Sequence, residues 1–483
     1  MTNLDILLIY PPYTYPKKSP PLGLAYIAAI LEKKGYTVRI ADMSATGMNN
    51  DDLKGLIEGT KPKLAGISFM TNQFGQAAAA AKAVKEADKN IPVIAGGPHV
   101  SALPREILGM DCFDIAVIGE GEITSAILAE YFVSGKDYDL SEIKGIGYKR
   151  DGQIHINEPR PLIEDLDILP WPAWHLLPVD KYAVPATGGD TTETVFAVIS
   201  SRGCPNHCIF CDSHTIFGRK FRARSANNIF SELLYLNKNF GVKQFDFVDD
   251  TLTINRNRIL ELCSLMLKNN CNFKWMCNAR VNTVDAEMLS KMKTAGCVRV
   301  EFGIESGDTA VLKNIKKAVT IEQIKNAHCL AKQAGLSIGS FVMVGNIGED
   351  FTSITKTRKL LEQIDTDDIY IAIATPFPGT ELYRIAQENG WLYVTDWSKY
   401  VTAPTYLPGY QPIMGTDKMT QQEILKAFFY LHCKFARKKF RTRYGANFLL
   451  NKRFYKDNIF NIRSFRDFRH KIKMAKKLIG NLF

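Results

Sequence analysis

The sequence predicts an α/β protein with two successive parallel-sheet units and a basic, mostly helical end. Three observations predict it. Short apolar runs alternate with helix-period segments through the first 125 residues. A second alternating series, of six strands, begins at Val195. A Pro- and Trp-rich stretch without sustained period, Glu164–Pro178, lies between them. At 483 residues the chain exceeds one compact core, so two or three domains are expected. With 46% apolar and 23% charged residues, disorder cannot dominate.

In the first unit, over residues 1–145, LDILLIY (Leu4–Tyr10), TVRIAD (Thr37–Asp42), LAGISFM (Leu64–Met70), IPVIAGG (Ile91–Gly97) and DIAVIGEG (Asp114–Gly121) read as strands. They are nearly continuous in apolar residues, as parallel strands covered on both faces should be. LGLAYIAAILEKKG and QAAAAAKAVKEAD carry apolar positions at helical spacing. The alternation implies an open, doubly wound sheet, which binds ligands at the carboxyl ends of its strands. Those ends read YPPYTYPKKSPPLG, SFMT, GGPH and GEGE. No G-x-G-x-x-G follows the first strand, which disfavours a nicotinamide or flavin dinucleotide. Gly96–Gly97 and Gly119–Gly121 are either tight turns or points of close ligand approach; two such ends in one sheet favour a ligand.

Residues 146–190 read as a linker, with Trp171 and Trp174 as packing anchors. The second unit, over 191–395, has strands expected at 195–200, 244–248, 273–277, 297–303, 337–344 and 369–375. Six βα repeats make a partial (β/α)6 barrel, and barrel chemistry sits at the C-terminal strand ends. Three cysteines follow the first of these strands, in Ile199–His214, ISSRGCPNHCIFCDSH.

Residues 396–483 form the last unit. Between Lys434 and Lys477 stand 16 Lys and Arg against Asp457 and Asp467, so the remainder, with 45 basic and 48 acidic residues, is slightly acidic. The overall +11 therefore belongs to the end of the chain. Its interleaved aromatic and basic residues suit an anionic membrane surface or, equally, a solvated helical face closing a substrate cavity. Nucleic acid is disfavoured, because no recognised fold accompanies the charge. MTNLDILLIYPP lacks a signal-peptide layout, no run of about 18 apolar residues occurs, and ten cysteines without a secretion signal read as reduced thiols. The expected location is cytoplasmic, with peripheral membrane contact through 434–477 as an option.

Cys204-x3-Cys208-x2-Cys211 puts three thiolates in one loop. A structural zinc would recruit His207 or His214 as fourth ligand. A four-iron cluster held by three cysteines instead leaves one iron open to bind a substrate. The motif, with Phe210 before its last Cys, resembles the signature of the radical S-adenosylmethionine (SAM) superfamily. The resemblance implies that the open iron of a 4Fe-4S cluster chelates SAM, and that reduction releases a 5′-deoxyadenosyl radical. It further implies SAM contacts from Phe210, from Asp249 and Asp250 (FVDDTLT), from Arg280 (NAR), from Glu305 and Ser306 (EFGIESG), and from Ser340 and Phe377. Asp249 and Asp250 could also be helix caps, and Arg280 and Glu305 could be a buried ion pair.

The first unit resembles the Rossmann-like cobalamin-binding domain fused to one class of radical SAM enzymes. That class includes C- and P-methylases, hopanoid methylases and the anaerobic Mg-protoporphyrin monomethyl ester cyclase. PPLGLAYIAAILEKKGY, GISFMT, GGPH, GEGE, LPWPAW and PFPGT carry the likeness, over roughly residues 4–395. It implies cobalamin near Tyr13, Ser68, Thr71, Gly96, Gly97, His99, Gly119, Glu120 and Gly121. The D-x-H-x-x-G loop of other cobalamin proteins is absent, so base-off binding is expected, with His99 as a candidate axial ligand. Only Cys112 precedes the motif and only Cys433 follows the barrel, so one cluster is expected, unlike methylthiotransferases or enzymes with auxiliary clusters. The resemblance implies radical methylation of an unactivated carbon of a small-molecule or lipid substrate. Radical cyclisation is the alternative. Flavodoxin or ferredoxin is the implied electron donor. The intact cysteine triad argues against a non-catalytic cobalamin sensor.

Overall fold

The computed structural model describes residues 4–13, 19–182, 195–403 and 409–445. Most of the basic segment 434–477 therefore lies outside the described residues, as do 183–194 of the linker.

The first sheet has seven strands: β1 Ile6–Tyr10, β2 Val38–Asp42, β3 Leu64–Ser68, β4 Val93–Gly96, β5 Ile115–Val117, β6 Ile146–Arg150 and β7 Gln153–Ile156. Their spatial order is β2-β1-β3-β4-β5-β6-β7. The first five are parallel, and β6 and β7 join antiparallel. In β1, Ile6, Leu7, Leu8 and Ile9 are all buried, because helices cover both faces. Leu8 and Ile6 join a core with Leu24 and Ala28, whereas Leu7 and Ile9 join one with Ala77 and Ala80.

The hairpin β6–β7 corrects the expectation of a linker from 146 onward. Asp151 and Gly152 both have positive φ, 52° and 73°. Two successive positive-φ residues make the tight turn whose twist suits antiparallel strands. The first sheet therefore extends to Ile156. The chain beyond it is stapled rather than free. Trp174, fully buried, donates to Glu232 Oε1 at 3.0 Å and packs 5.0 Å from Phe196. Tyr182 donates its hydroxyl to Asp42 at 2.6 Å.

The second sheet runs β15-β14-β13-β12-β11-β8, all parallel. Its strands are β8 Val195–Val198, β11 Gln244–Phe247, β12 Lys274–Ala279, β13 Cys297–Glu305, β14 Ser337–Val344 and β15 Asp368–Ile373. β8 and β15 are its edges, as an open six-stranded barrel requires. Between β8 and β11, β9 (Ser201–Arg202) pairs antiparallel with β10 (Arg222–Ala223), and this two-residue ladder frames the cysteine loop. The last described helix, Gln421–Tyr444, packs against β14, β15 and the helix Phe351–Gln363. Among the described residues no helix is long and apolar enough to cross a membrane.

Candidate functional site

The cysteine loop starts at Gly203, whose φ is +80°. A Cβ there would stand 2.3 Å from the Lys220 carbonyl oxygen, so the closure of the loop admits only glycine. Backbone bonds then seat the loop at the barrel mouth. Ile209 N donates to Ile315 O at 3.2 Å, and Leu382 N donates to Ile209 O at 2.9 Å. Cys208 is buried, while Cys204 and Cys211 are half-buried. Asn206 Nδ2 donates to Cys204 Sγ at 3.2 Å, and Arg280 Nη1 to Cys208 Sγ at 3.7 Å. Burial, reinforced by the Asp250 and Asp212 carboxylates, pushes the Cys211 thiol up to about 12.

Neither histidine joins the thiols: His207 is exposed, and a His214 ring nitrogen is engaged with the Cys211 carbonyl. Among the described residues, no three Cys, His, Asp or Glu side chains converge as ligands of one ion. An iron–sulfur cube takes each cysteine on a different iron, so its ligands stand further apart than those of one ion. Two donors aimed at thiolate sulfurs suit such a group, since hydrogen bonds to sulfur and nearby positive charge stabilise it.

The expected SAM residues divide. Asp250 faces the loop, accepting from Ser213 Oγ, and burial and the neighbouring Asp249 raise its pKa. Arg280 sits beside Cys208, with Nη2 on the Lys317 carbonyl. Glu305, in a left-handed conformation (φ 59°), pairs with Lys317 Nζ at 2.8 Å. The direct Arg280–Glu305 pair is therefore replaced by separate contacts to Lys317, a residue the sequence did not single out. Phe210 and Phe377 are half-buried, Phe210 against the barrel core and Phe377 beside Tyr400.

Three expectations are corrected. Asp249 is fully buried and accepts from Ser200 N, Ser200 Oγ and Ser201 Oγ, so it braces the ends of β8 and β11 and has no face for an ammonium. Ser340 points towards the helix layer, bonded to His328 Nε2 and Thr366 Oγ1, each at 2.9 Å. Ser306 is fully buried, bonded to Thr357 on the helix Phe351–Gln363 and accepting from the Asp308 amide.

On the other side lies a cavity of about 360 Å³ at the carboxyl ends of the first sheet. Ser68, Gly96, Gly97, Gly119, Glu120 and Gly121 line it, and the barrel contributes Ile199, Arg202, Ile216 and Phe217. A Cβ on Gly96 would meet no atom within 4 Å, so the missing side chain leaves open space. A cradle of bare backbone and apolar walls at strand ends fits part of a large planar cofactor with a nucleotide tail.

Tyr13, Thr71 and His99 do not line this cavity. His99 is fully buried, with Nδ1 3.3 Å from Thr71 Oγ1 and its ring among Phe69, Phe74 and Trp397. Burial pulls its pKa down to about 4, so it is neutral, and its Nε2 has no hydrogen-bond partner among the described residues. Glu120 reaches the cavity but is consumed by Arg202 and Arg222. Arg202 and Glu122 also line the cavity without belonging to a recognised motif; the local signal is Arg202 next to Gly203-Cys204.

Residues 14–129 match the family described as the B12 binding domain, and residues 198–361 match the radical SAM superfamily. Over 434 residues the chain is 34% identical to an uncharacterized methyltransferase of Pyrococcus horikoshii, covering 88% of this chain and 91% of that protein. Over 442 residues it is 29% identical to the anaerobic magnesium-protoporphyrin IX monomethyl ester cyclase of Rubrivivax gelatinosus, covering 88% and 77%. The solved structure of the cobalamin-dependent S-adenosylmethionine radical enzyme OxsB shares the fold, with a TM-score of 0.75 at 16% identity, covering 98% of this chain and 72% of that one.

Proposed function

The chain belongs to the cobalamin-dependent radical SAM enzymes, and from that premise we propose that it transfers a methyl group to an unactivated carbon of a small-molecule substrate. One observation carries the reading: residues on both flanks of the cysteine loop, Arg202, Ile216 and Phe217, also wall the cavity of the first sheet. A group bound at the loop and a group bound in the cavity then face each other across one wall. When bound, a reduced cluster would supply the electron for cleavage of SAM to methionine and a 5′-deoxyadenosyl radical, and cobalamin would supply the methyl group.

The protein's part is placement. Cys204, Cys208 and Cys211 would hold the cluster. Asp250 and Arg280 suit the ammonium and carboxylate of SAM by charge. Ser68, Gly96, Gly97, Gly119 and Gly121 would seat the nucleotide tail. A low-potential donor such as flavodoxin or ferredoxin would reach the cluster at the edge of the loop where Pro205 and His207 are exposed.

The test uses anaerobically reconstituted protein given SAM with a deuterated methyl group and cell metabolites. Label should appear in a metabolite with wild type and be absent with Cys211→Ala. Deoxyadenosine formed while the label stays in SAM and in the methionine released with it, and reaches no other metabolite, would contradict methylation in favour of the cyclising chemistry of the Rubrivivax relative.

A further inference from the structure

Four charges are buried together where the first sheet meets the barrel. Glu120 and Glu122 follow β5, and the β9–β10 ladder framing the cysteine loop carries Arg202 and Arg222. Arg202 Nη1 donates to Glu120 Oε1 at 2.8 Å, and its Nη2 donates to Glu122 Oε1 at 2.5 Å. Arg222 Nη1 donates to both oxygens of Glu120 at 2.9 Å and to the Ile163 carbonyl at 2.6 Å. None of the four side chains is more than 5% exposed. The Arg202 guanidinium also lies over the rings of Tyr26 and Phe217, 5.2 and 5.5 Å from their centroids. Replacing a buried ion network by apolar residues of similar volume is often neutral or stabilising, and such networks are best attested where they fix register.

Here the register joins two sites. Arg202 immediately precedes Gly203-Cys204 and lines the cavity. At the far end of the loop, His214–Phe217 packs on Pro98–Ala102, and Ile216 and Phe217 line the same cavity. Both ends of the cysteine loop are thus fastened to the cavity wall, the first of them by charge.

We infer that Arg202 is a positioning residue: gripped by Glu120 and Glu122, it fixes the cysteine loop to the wall of the cobalamin cavity, so that filling the cavity orders the loop. The inference rests on the proposed seat of cobalamin. Its readout is hydrogen–deuterium exchange across the cluster-reconstituted chain, with and without saturating hydroxocobalamin, whose binding is followed by absorption.

In wild type, cobalamin should slow exchange over 203–218 by about fivefold or more, the low end of ordinary coupling between sites. In Glu122→Gln and in Arg202→Lys, which keeps the charge but loses the planar fork, each compared at the cobalamin concentration that saturates it by absorption, that slowing should fall below about twofold. The helix Ala226–Phe240 should exchange as in wild type, a selectivity that general destabilisation would not produce. If Glu122→Gln does not fold, Arg202→Lys carries the comparison. Slowing that persists in a variant with cobalamin bound overturns the role of Arg202 and leaves the methyl-transfer reading standing. Wild type that binds no cobalamin overturns both.

Discussion

Replacing Gly96 separates the binding of a cofactor from the stability of the fold. Gly96 ends β4, pairs with Ser68 and has an ordinary φ, so a side chain meets no backbone obstacle there. A Cβ has no heavy atom within 4 Å, and the space it enters is the cavity of about 360 Å³. Gly96→Ala should therefore be neutral or gain up to about 0.5–1 kcal/mol, the usual strand penalty of glycine. Gly96→Val puts three carbons on the side where the cofactor is proposed to lie, and its Cβ meets no atom of the protein within 4 Å. Overpacking a fitted site costs about 1–3 kcal/mol, so the dissociation constant for hydroxocobalamin should rise about 5- to 150-fold. Titration by absorption gives the affinity, and urea denaturation of the cobalamin-free protein gives the stability. Wild-type affinity in Gly96→Val would refute the placement of cobalamin, and a large loss of stability in Gly96→Ala would refute the claim of open space.

Three further outcomes follow from the same geometry. Gly203→Ala combines left-handed strain of about 1–2 kcal/mol with a Cβ 2.3 Å from Lys220 O; iron retained after reconstitution should fall well below wild type, and undiminished iron would count against it. His99 has a folded pKa of about 4, below its ordinary 6.5, so its contribution to stability is complete above about pH 6.5 and drains as pH falls towards 4. His99→Phe should flatten that acid slope in urea midpoints and leave the spectrum of bound cobalamin unchanged, whereas a changed spectrum would restore His99 as a ligand. Trp174→Ala, which empties a fully buried site and strips Glu232 of a donor, should cost about 3–5 kcal/mol in denaturant unfolding.

How far the sequence could be read varies with the kind of interaction. The parallel strands were legible because burial on both faces writes uninterrupted apolar runs, as in Ile6–Ile9 and Leu64–Ile67. The β6–β7 hairpin was missed because its strands mix Gly, Tyr, Lys and His; the Asp151-Gly152 turn was its clearest signal. The cysteine loop was legible because its chemistry is local. Strand-end positions were identified, but which side chains face the lumen depends on parity, and one step in register moves a side chain to the other face. Thus Ser340 falls on the helix side with Ile338 and Val342, and Asp249 is buried where its neighbour Asp250 faces the loop. Glu120 lines the cavity, but its partner Arg202 lies 82 residues away, a separation at which pairing leaves no local pattern.

The most direct test of the central claim, that one chain holds the cluster and the cobalamin against a shared wall, is electron paramagnetic resonance of protein carrying both the reduced cluster and cob(II)alamin. Mutual spin–spin broadening of the two signals is expected, and it should be absent from Cys208→Ala protein that has only cobalamin. Two unperturbed, independently relaxing signals in fully loaded protein would contradict it.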